Sequence, residues 1–174
     1  MKVPMRSLAL AGILGVAFAT VCEAADPTGT WLVEHRDGIV RIDDCGLIHN
    51  HGGGGAASAA QGTLCGVVVW LKDPVDPATG QPPVDQHNAD PAKRGQPLMG
   101  LQVIFDMRPS WIPGRWDGRV YNMDDGRIYD GNLILTGESD LRVQGCELLI
   151  CRGEAWTRQP LPDPPAPSRA QRAR

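Results

Sequence analysis

Apolar and polar residues alternate with a period of two along most of this chain, and short turn signals separate the alternating segments. Two of these segments, residues 115–123 and 127–135, flank Asp125-Gly126, a dipeptide typical of tight β-hairpin turns. Gly and Pro contribute 21 and 15 of the 174 residues, an excess that disfavours long helices. The pattern therefore predicts an all-β protein.

Eight such segments follow one another, and most of the connections between them are short. Sequential hairpins favour an eight-stranded antiparallel up-and-down barrel, because closing the sheet leaves no unpaired edge. A two-sheet β-sandwich is the alternative. One connection, residues 48–62, is rich in Gly and Ala and is predicted to be a loop. The predicted strands are residues 30–36, 39–44, 64–72, 98–107, 115–123, 127–135, 140–145 and 147–157.

The first 24 residues, 1–24, have the pattern of a secretory signal peptide. Lys2 and Arg6 precede an apolar segment, residues 7–21, which is shorter than the roughly 20 residues that cross a bilayer. Small residues at the expected positions predict cleavage after Ala24. We therefore expect a periplasmic or secreted protein with no stable membrane span after cleavage.

Cleavage would leave one domain, residues 25–158, followed by a tail, residues 159–174. The tail holds five Pro and three Arg and is predicted to be disordered. An uncleaved anchor helix and acylation of Cys22 are the alternatives to cleavage. The net charge of −3 offers no basic footprint for a nucleic-acid partner.

The predicted mature chain keeps an even number of cysteines, which in an exported protein indicates disulfides. Four cysteines allow three pairings. The pairs Cys45–Cys65 and Cys146–Cys151 are favoured, because each is local and lies beside predicted strands. The spacings do not form the paired CxxC knuckles of a zinc site, so no metal is assigned to them.

The longest polar connection, residues 73–96, holds five Pro and has no apolar periodicity. Loops of this length in a compact domain tend to be functional or disordered. We predict that it forms a wall or lid at the mouth of the barrel, beside a ligand. The residues assigned to that site are Trp70 and Trp111 for apolar contacts, and Asp85, Asn88 and Arg94 for the polar ends of the ligand.

These features favour a non-catalytic protein that binds a small apolar or amphipathic molecule. The chain has no Gly-x-Ser-x-Gly or His-Glu-x-x-His motif, and no catalytic residue, cofactor or metal is assigned. One alternative is a cell-envelope module that contacts protein or peptidoglycan through exposed aromatic side chains. Another is a hydrolase that uses at least two carboxylates of the long loop, from Asp73, Asp76, Asp85 and Asp90.

Several short phrases occur in an order and spacing that resemble an exported bacterial family, domain of unknown function 2147. The phrases include Gly29-Thr30-Trp31, Leu64-Cys65-Gly66, Asn88-Ala89-Asp90-Pro91 and Trp156-Thr157-Arg158. The resemblance covers residues 26–158 and implies export and one small β-rich domain, with no activity to carry over. Residues 49–62 depart from the family pattern as an insertion, whose role the sequence leaves open.

A second resemblance is to lipocalin-like barrels, which begin their first strand with Gly-x-Trp and place a late Arg across the indole. The corresponding residues are Gly29, Trp31 and Arg158. The resemblance implies a structural role, since a guanidinium over an indole face is held by cation–π attraction and closes one barrel end.

Overall fold

The computed structural model describes residues 26–51 and 62–162. The predicted signal peptide, the central part of the predicted insertion and most of the predicted tail lie outside these residues. Within them the chain forms eight strands and two short helices. The elements are β1 (Gly29–Leu32), β2 (Gly38–Asp44), α1 (Cys45–His51), β3 (Leu64–Leu71), a 3-10 helix (Pro91–Lys93), β4 (Gln102–Pro109), β5 (Arg115–Asn122), β6 (Arg127–Leu135), β7 (Asp140–Glu147) and β8 (Ile150–Arg158).

The strands form a closed antiparallel barrel in which each strand pairs with the next one along the chain. The barrel closes where β1 pairs with β8, with Trp31 opposite Arg158 and Leu32 opposite Thr157. This closure confirms the predicted up-and-down barrel and distinguishes it from the sandwich. The chain therefore has its connections alternately at the two ends of the barrel.

The prediction of a loop over residues 48–62 is wrong for residues 48–51, because helix α1 spans Cys45–His51. The carboxylate of Asp44 accepts a hydrogen bond from the N–H of Gly46 at 2.8 Å and so caps the first turn. Ile48 is buried against the disulfide between Cys45 and Cys65. A local cap and a covalent tie thus fold a segment whose composition indicates a loop.

Alternating residues of the strands fill the barrel with large apolar side chains. Leu133 and Ile104 are fully buried, and Trp116, Val143 and Leu141 pack in the same cluster. Both predicted disulfides are present. Besides the bond between α1 and β3, Cys146–Cys151 joins β7 to β8.

Arg158 closes one end of the barrel over Trp31. Its guanidinium lies 4.2 Å from the centroid of the Trp31 ring and donates hydrogen bonds to the backbone carbonyls of Thr28 at 2.6 Å and Asp26 at 2.9 Å. The indole N–H of Trp31 donates to the carbonyl of Pro27 at 2.8 Å. The predicted Trp–Arg pair is confirmed, and we call this end the closed end.

The opposite end of the barrel, here the loop end, carries the β1–β2, β3–β4, β5–β6 and β7–β8 connections. The long polar segment predicted to form a wall or lid is the β3–β4 connection, so it lies at the loop end. In the parts of the chain that are described, no helix is both long and apolar enough to cross a membrane.

Candidate functional site

The β3–β4 connection is attached to the barrel through Asp85, which is 1% exposed. The hydroxyl of Tyr121 donates to both carboxylate oxygens of Asp85, at 2.8 and 2.7 Å, and the side-chain amide of Asn88 donates to Oδ2 at 2.7 Å. Because a buried carboxylate needs such partners, the three side chains form one satisfied polar cluster. Asp85 is therefore an anchor of the loop.

Tyr121 reaches this anchor from the outer face of β5. Its neighbour Val120 packs against the barrel core, and Arg119 on the other side of Val120 is exposed. Successive residues of a strand point to opposite faces, so Tyr121 shares the outer face with Arg119. The loop thus covers an outward-facing tyrosine and buries it.

The loop is closed on itself by backbone pairing. Val84 bridges to Pro97, the N–H of Asp85 donates to the carbonyl of Gln96 at 2.9 Å, and the N–H of Leu98 donates to the carbonyl of Pro83 at 3.0 Å. These bonds hold the two stems of the loop together. The segment is therefore tied together at its base by backbone hydrogen bonds.

The loop also packs on the turn between β5 and β6 at Gly126. The N–H of Ala89 donates to the carbonyl of Gly126 at 3.2 Å, and a Cβ at this position would overlap the backbone carbonyl of His87. Gly126 also has a φ of 70°, in the left-handed region that side chains disfavour. Only glycine permits this close approach of the two backbones.

A short 3-10 helix at the end of the loop positions Lys93. The Asp90 carboxylate accepts a hydrogen bond from the N–H of Ala92 at 3.0 Å and caps the helix. Arg94 donates from Nε to the backbone carbonyl of Asn88 at 2.9 Å. Arg94 therefore fixes the loop backbone, as Asp85 does.

Between the loop and the outer faces of β4, β5 and β6 lies an open cleft of about 590 Å³. One wall is the loop and the other is the barrel. The lining residues are Asn88, Ala89, Asp90, Lys93 and Gln96 from the loop, and Leu101, Gln102, Phe105, Tyr121, Gly126, Arg127 and Ile128 from the barrel side.

The cleft combines an apolar floor with two cations. Leu101, Phe105 and Ile128 supply apolar surface, and Ile128 is 52% exposed. Lys93 from the loop and Arg127 from β6 are the two cationic lining residues of the cleft, beside the Asp90 carboxylate, and the Arg127 guanidinium lies 5.9 Å from the centroid of the Tyr129 ring. Such a surface can bury a hydrocarbon group and attract an anion at the same time.

Burial raises the pKa of the Tyr121 hydroxyl above its usual value, and the hydrogen bond to the Asp85 carboxylate raises it further. The phenol therefore stays protonated at physiological pH. A protonated hydroxyl donates to Asp85 and keeps the loop anchored.

The structure brings together only part of the predicted ligand site. Asn88 lines the cleft, while Asp85 and Arg94 hold the loop that forms its wall. Trp70 is half-buried on β3 opposite Ile39 and is not among the lining residues. Trp111 is 91% exposed in the β4–β5 turn, at the closed end.

Sequence reasoning did not assign several lining side chains to the site. Alternation along β5 places Tyr121 on the outer face of the barrel. Nothing in the sequence indicates that the β3–β4 connection covers it there. The residues added to the site by the structure are Lys93, Leu101, Phe105, Tyr121, Arg127 and Ile128.

Three acidic residues of the loop, Asp76, Asp85 and Asp90, accept hydrogen bonds from groups nearby. Asp76 accepts hydrogen bonds from the backbone N–H groups of Ala78 and Thr79, at 2.7 and 3.2 Å. Of the four loop carboxylates considered for hydrolysis, Asp90 lines the cleft. Among the described residues, a group with metal-ligand spacing is Cys45, Cys65 and Asp106, whose two cysteines are joined in a disulfide.

An up-and-down barrel of eight strands, closed by an arginine over a first-strand tryptophan, defines a lipocalin-like barrel. The chain belongs to the bacterial family DUF2147, described as an uncharacterized protein conserved in bacteria, whose model matches residues 29–158. No curated protein matches the chain.

A solved structure supports the fold. It is protein HP1028 from Helicobacter pylori, described as belonging to the lipocalin family, and it superposes with a TM-score of 0.56 at 15% sequence identity. The match covers 79% of this chain and 85% of the other. At this identity the two proteins share the fold.

Proposed function

We propose that this protein binds a small amphipathic molecule with an anionic end, without catalysing a reaction. The observation that carries the proposal is the cleft of about 590 Å³, whose lining combines apolar side chains with Lys93 and Arg127. Concave, mostly apolar sites with a few placed polar groups are typical of small-molecule binding. A lipocalin-like barrel is consistent with such a role, as an analogy of fold.

In this proposal the hydrocarbon part of the ligand packs on Leu101, Phe105 and Ile128. Its anionic group pairs with Lys93 and Arg127, the two cationic residues of the lining. Asp90 shares the lining, and its carboxylate accepts the capping hydrogen bond of the 3-10 helix.

We also propose that binding takes place outside the cytoplasm, in the periplasm or the medium. Two disulfides support this location, because disulfides persist in oxidising compartments. The predicted signal peptide would direct the export.

The test is a calorimetric titration of lipid-extracted protein with dodecanoate and with its uncharged methyl ester. We expect dodecanoate to bind, and the double variant Lys93→Ala, Arg127→Ala to bind it at least about tenfold more weakly, because charge-assisted hydrogen bonds are lost. Lys72→Ala is the control, since Lys72 is exposed and does not line the cleft. Equal affinity of the double variant and the wild type would refute the assigned site.

The alternative of a cell-envelope interaction module is favoured by one observation. Trp111 is 91% exposed in a turn at the closed end, beside the partly exposed Ile112. Exposed tryptophans are enriched at protein interfaces. Trp111→Ser should leave dodecanoate binding unchanged, whereas loss of an envelope partner in a pull-down with this variant would favour the alternative.

A further inference from the structure

The turn between β7 and β8 presents three consecutive apolar side chains to solvent. Leu148 and Leu149 are each 98% exposed, and Ile150 is 68% exposed. Because Glu147 pairs with Ile150, the two leucines form a two-residue hairpin turn. Such turns are normally built from Gly, Asn or Asp. These side chains therefore add nothing to the core of the barrel.

The backbone of this turn is also unfavourable for leucine. Leu148 has a φ of 56°, in the left-handed region, where a side chain without a local hydrogen bond is disfavoured. The Cys146–Cys151 disulfide joins the two strands directly behind the turn. The chain thus holds a strained, fully exposed apolar tip on a covalently braced hairpin.

We propose that the apolar tip, Leu148–Leu149–Ile150, inserts into the interfacial region of a lipid bilayer. The tip is convex, and two of its side chains are exposed almost completely, so a flat protein surface would cover only one side of it. Hydrocarbon chains can surround it on all sides. Glu147 and Arg152, both exposed, flank the tip with opposite charges and would remain among the headgroups.

The position of the tip determines which end of the barrel would face the membrane. The β7–β8 turn lies at the loop end, where β6 begins, and β6 is the strand next to β7. Ile128, near the start of β6, is exposed and lines the cleft. Insertion would place the cleft close to the bilayer surface. This inference stands on the exposed tip and holds whether or not the cleft binds a ligand.

The experiment is flotation with phosphatidylcholine vesicles of the chain from residue 25 to 174, which lacks the apolar segment 7–21 and keeps the whole described barrel. The double variant Leu148→Gly, Leu149→Asn has residues that suit this turn, so it should keep the fold. It should bind vesicles at least about tenfold more weakly, because two leucine side chains no longer enter the bilayer. Partitioning should persist at high salt, since charge does not drive it. Leu47→Ser, at an exposed position of α1 at the closed end, is the control and should float as the wild type does.

A local readout places the contact at the tip. The difference between the emission of Leu149→Trp and that of the wild type, which has five tryptophans, should shift to the blue with vesicles and be quenched by brominated lipid. Unchanged emission would overturn the proposal. Wild-type flotation of the double variant would also overturn it. The proposal would also be overturned if the wild type does not bind vesicles but sediments differently from the double variant. That result would assign the tip to contacts between copies of the chain.

Discussion

The hydroxyl of Tyr121 donates hydrogen bonds to both carboxylate oxygens of Asp85, at 2.8 and 2.7 Å. Tyr121 is 8% exposed and Asp85 1% exposed, so the contact is shielded from water. It joins the β3–β4 connection to the outer face of β5. One wall of the cleft is therefore attached to the strand through a buried side-chain contact, beside the backbone contact between Ala89 and Gly126.

Tyr121→Phe should destabilise the protein by about 2 kcal/mol, because a hydrogen bond to a buried charged group is lost. Urea unfolding measures the change. The control is Tyr129→Phe, whose hydroxyl bonds to Asp125 at 2.6 Å in an exposed position and whose loss should have a much smaller effect. Limited proteolysis should cut the Tyr121→Phe variant faster, within the β3–β4 connection. Equal effects of the two substitutions would contradict the anchoring role.

The Tyr121 phenol also predicts a pH dependence. Its folded pKa lies above the usual value of about 10, so in alkali the unfolded chain loses this proton first. The contribution of the phenol to the free energy of unfolding is therefore complete below about pH 10 and is lost as the pH rises further. The stability difference between wild type and Tyr121→Phe should narrow across that range. A difference that stays constant up to pH 11 would contradict this assignment.

Arg158→Ala should destabilise the barrel by about 2 kcal/mol, because the cation–π contact with Trp31 and hydrogen bonds to backbone carbonyls are lost together. Arg158→Lys should recover only part of this stability, since an ammonium cannot form the same planar set of bonds. Arg142→Ala, at an exposed position on β7, is the control. Thermal unfolding distinguishes the three. Full recovery by lysine would show that charge alone closes the barrel end.

The two disulfides should contribute unequally to stability. Cys45–Cys65 closes a segment with a sequence separation of 20, and Cys146–Cys151 one of 5. Loop-closure entropy predicts losses of about 3 and about 2 kcal/mol when each pair is replaced by serine. Chemical denaturation of the two double variants measures them. A larger loss for the Cys146–Cys151 variant would show that this disulfide acts mainly on the folded hairpin.

Local signals were sufficient to predict the barrel and its disulfides, whereas the Trp31–Arg158 pair was predicted from the resemblance to lipocalin-like barrels. Period-two alternation and hairpin turns predict the order of the strands in the sheet. The short separation of Cys146 and Cys151 in the sequence predicts their pairing. Helix α1 was missed, since the Asp44 cap and the covalent tie from Cys45 outweigh a composition typical of loops.

The sequence identified the loop that forms a wall of the cleft, but it assigned few of the lining side chains. Trp70 and Trp111 were chosen for their aromatic character, whereas sheet register and turn position decide where they lie. Tyr121 is buried only because a distant loop docks on the outer face of β5. Such tertiary contacts leave no periodic signal in the chain.

Native mass spectrometry of the protein, before and after organic extraction, tests the binding proposal most directly. We predict a co-purifying small amphipathic acid on the wild-type protein that extraction removes. The charge-reversed variant Lys93→Glu, Arg127→Glu should carry none, while Lys72→Glu, outside the cleft, should retain it. An unchanged mass after extraction of the wild type, or a ligand retained by the charge-reversed variant, would contradict binding in this cleft.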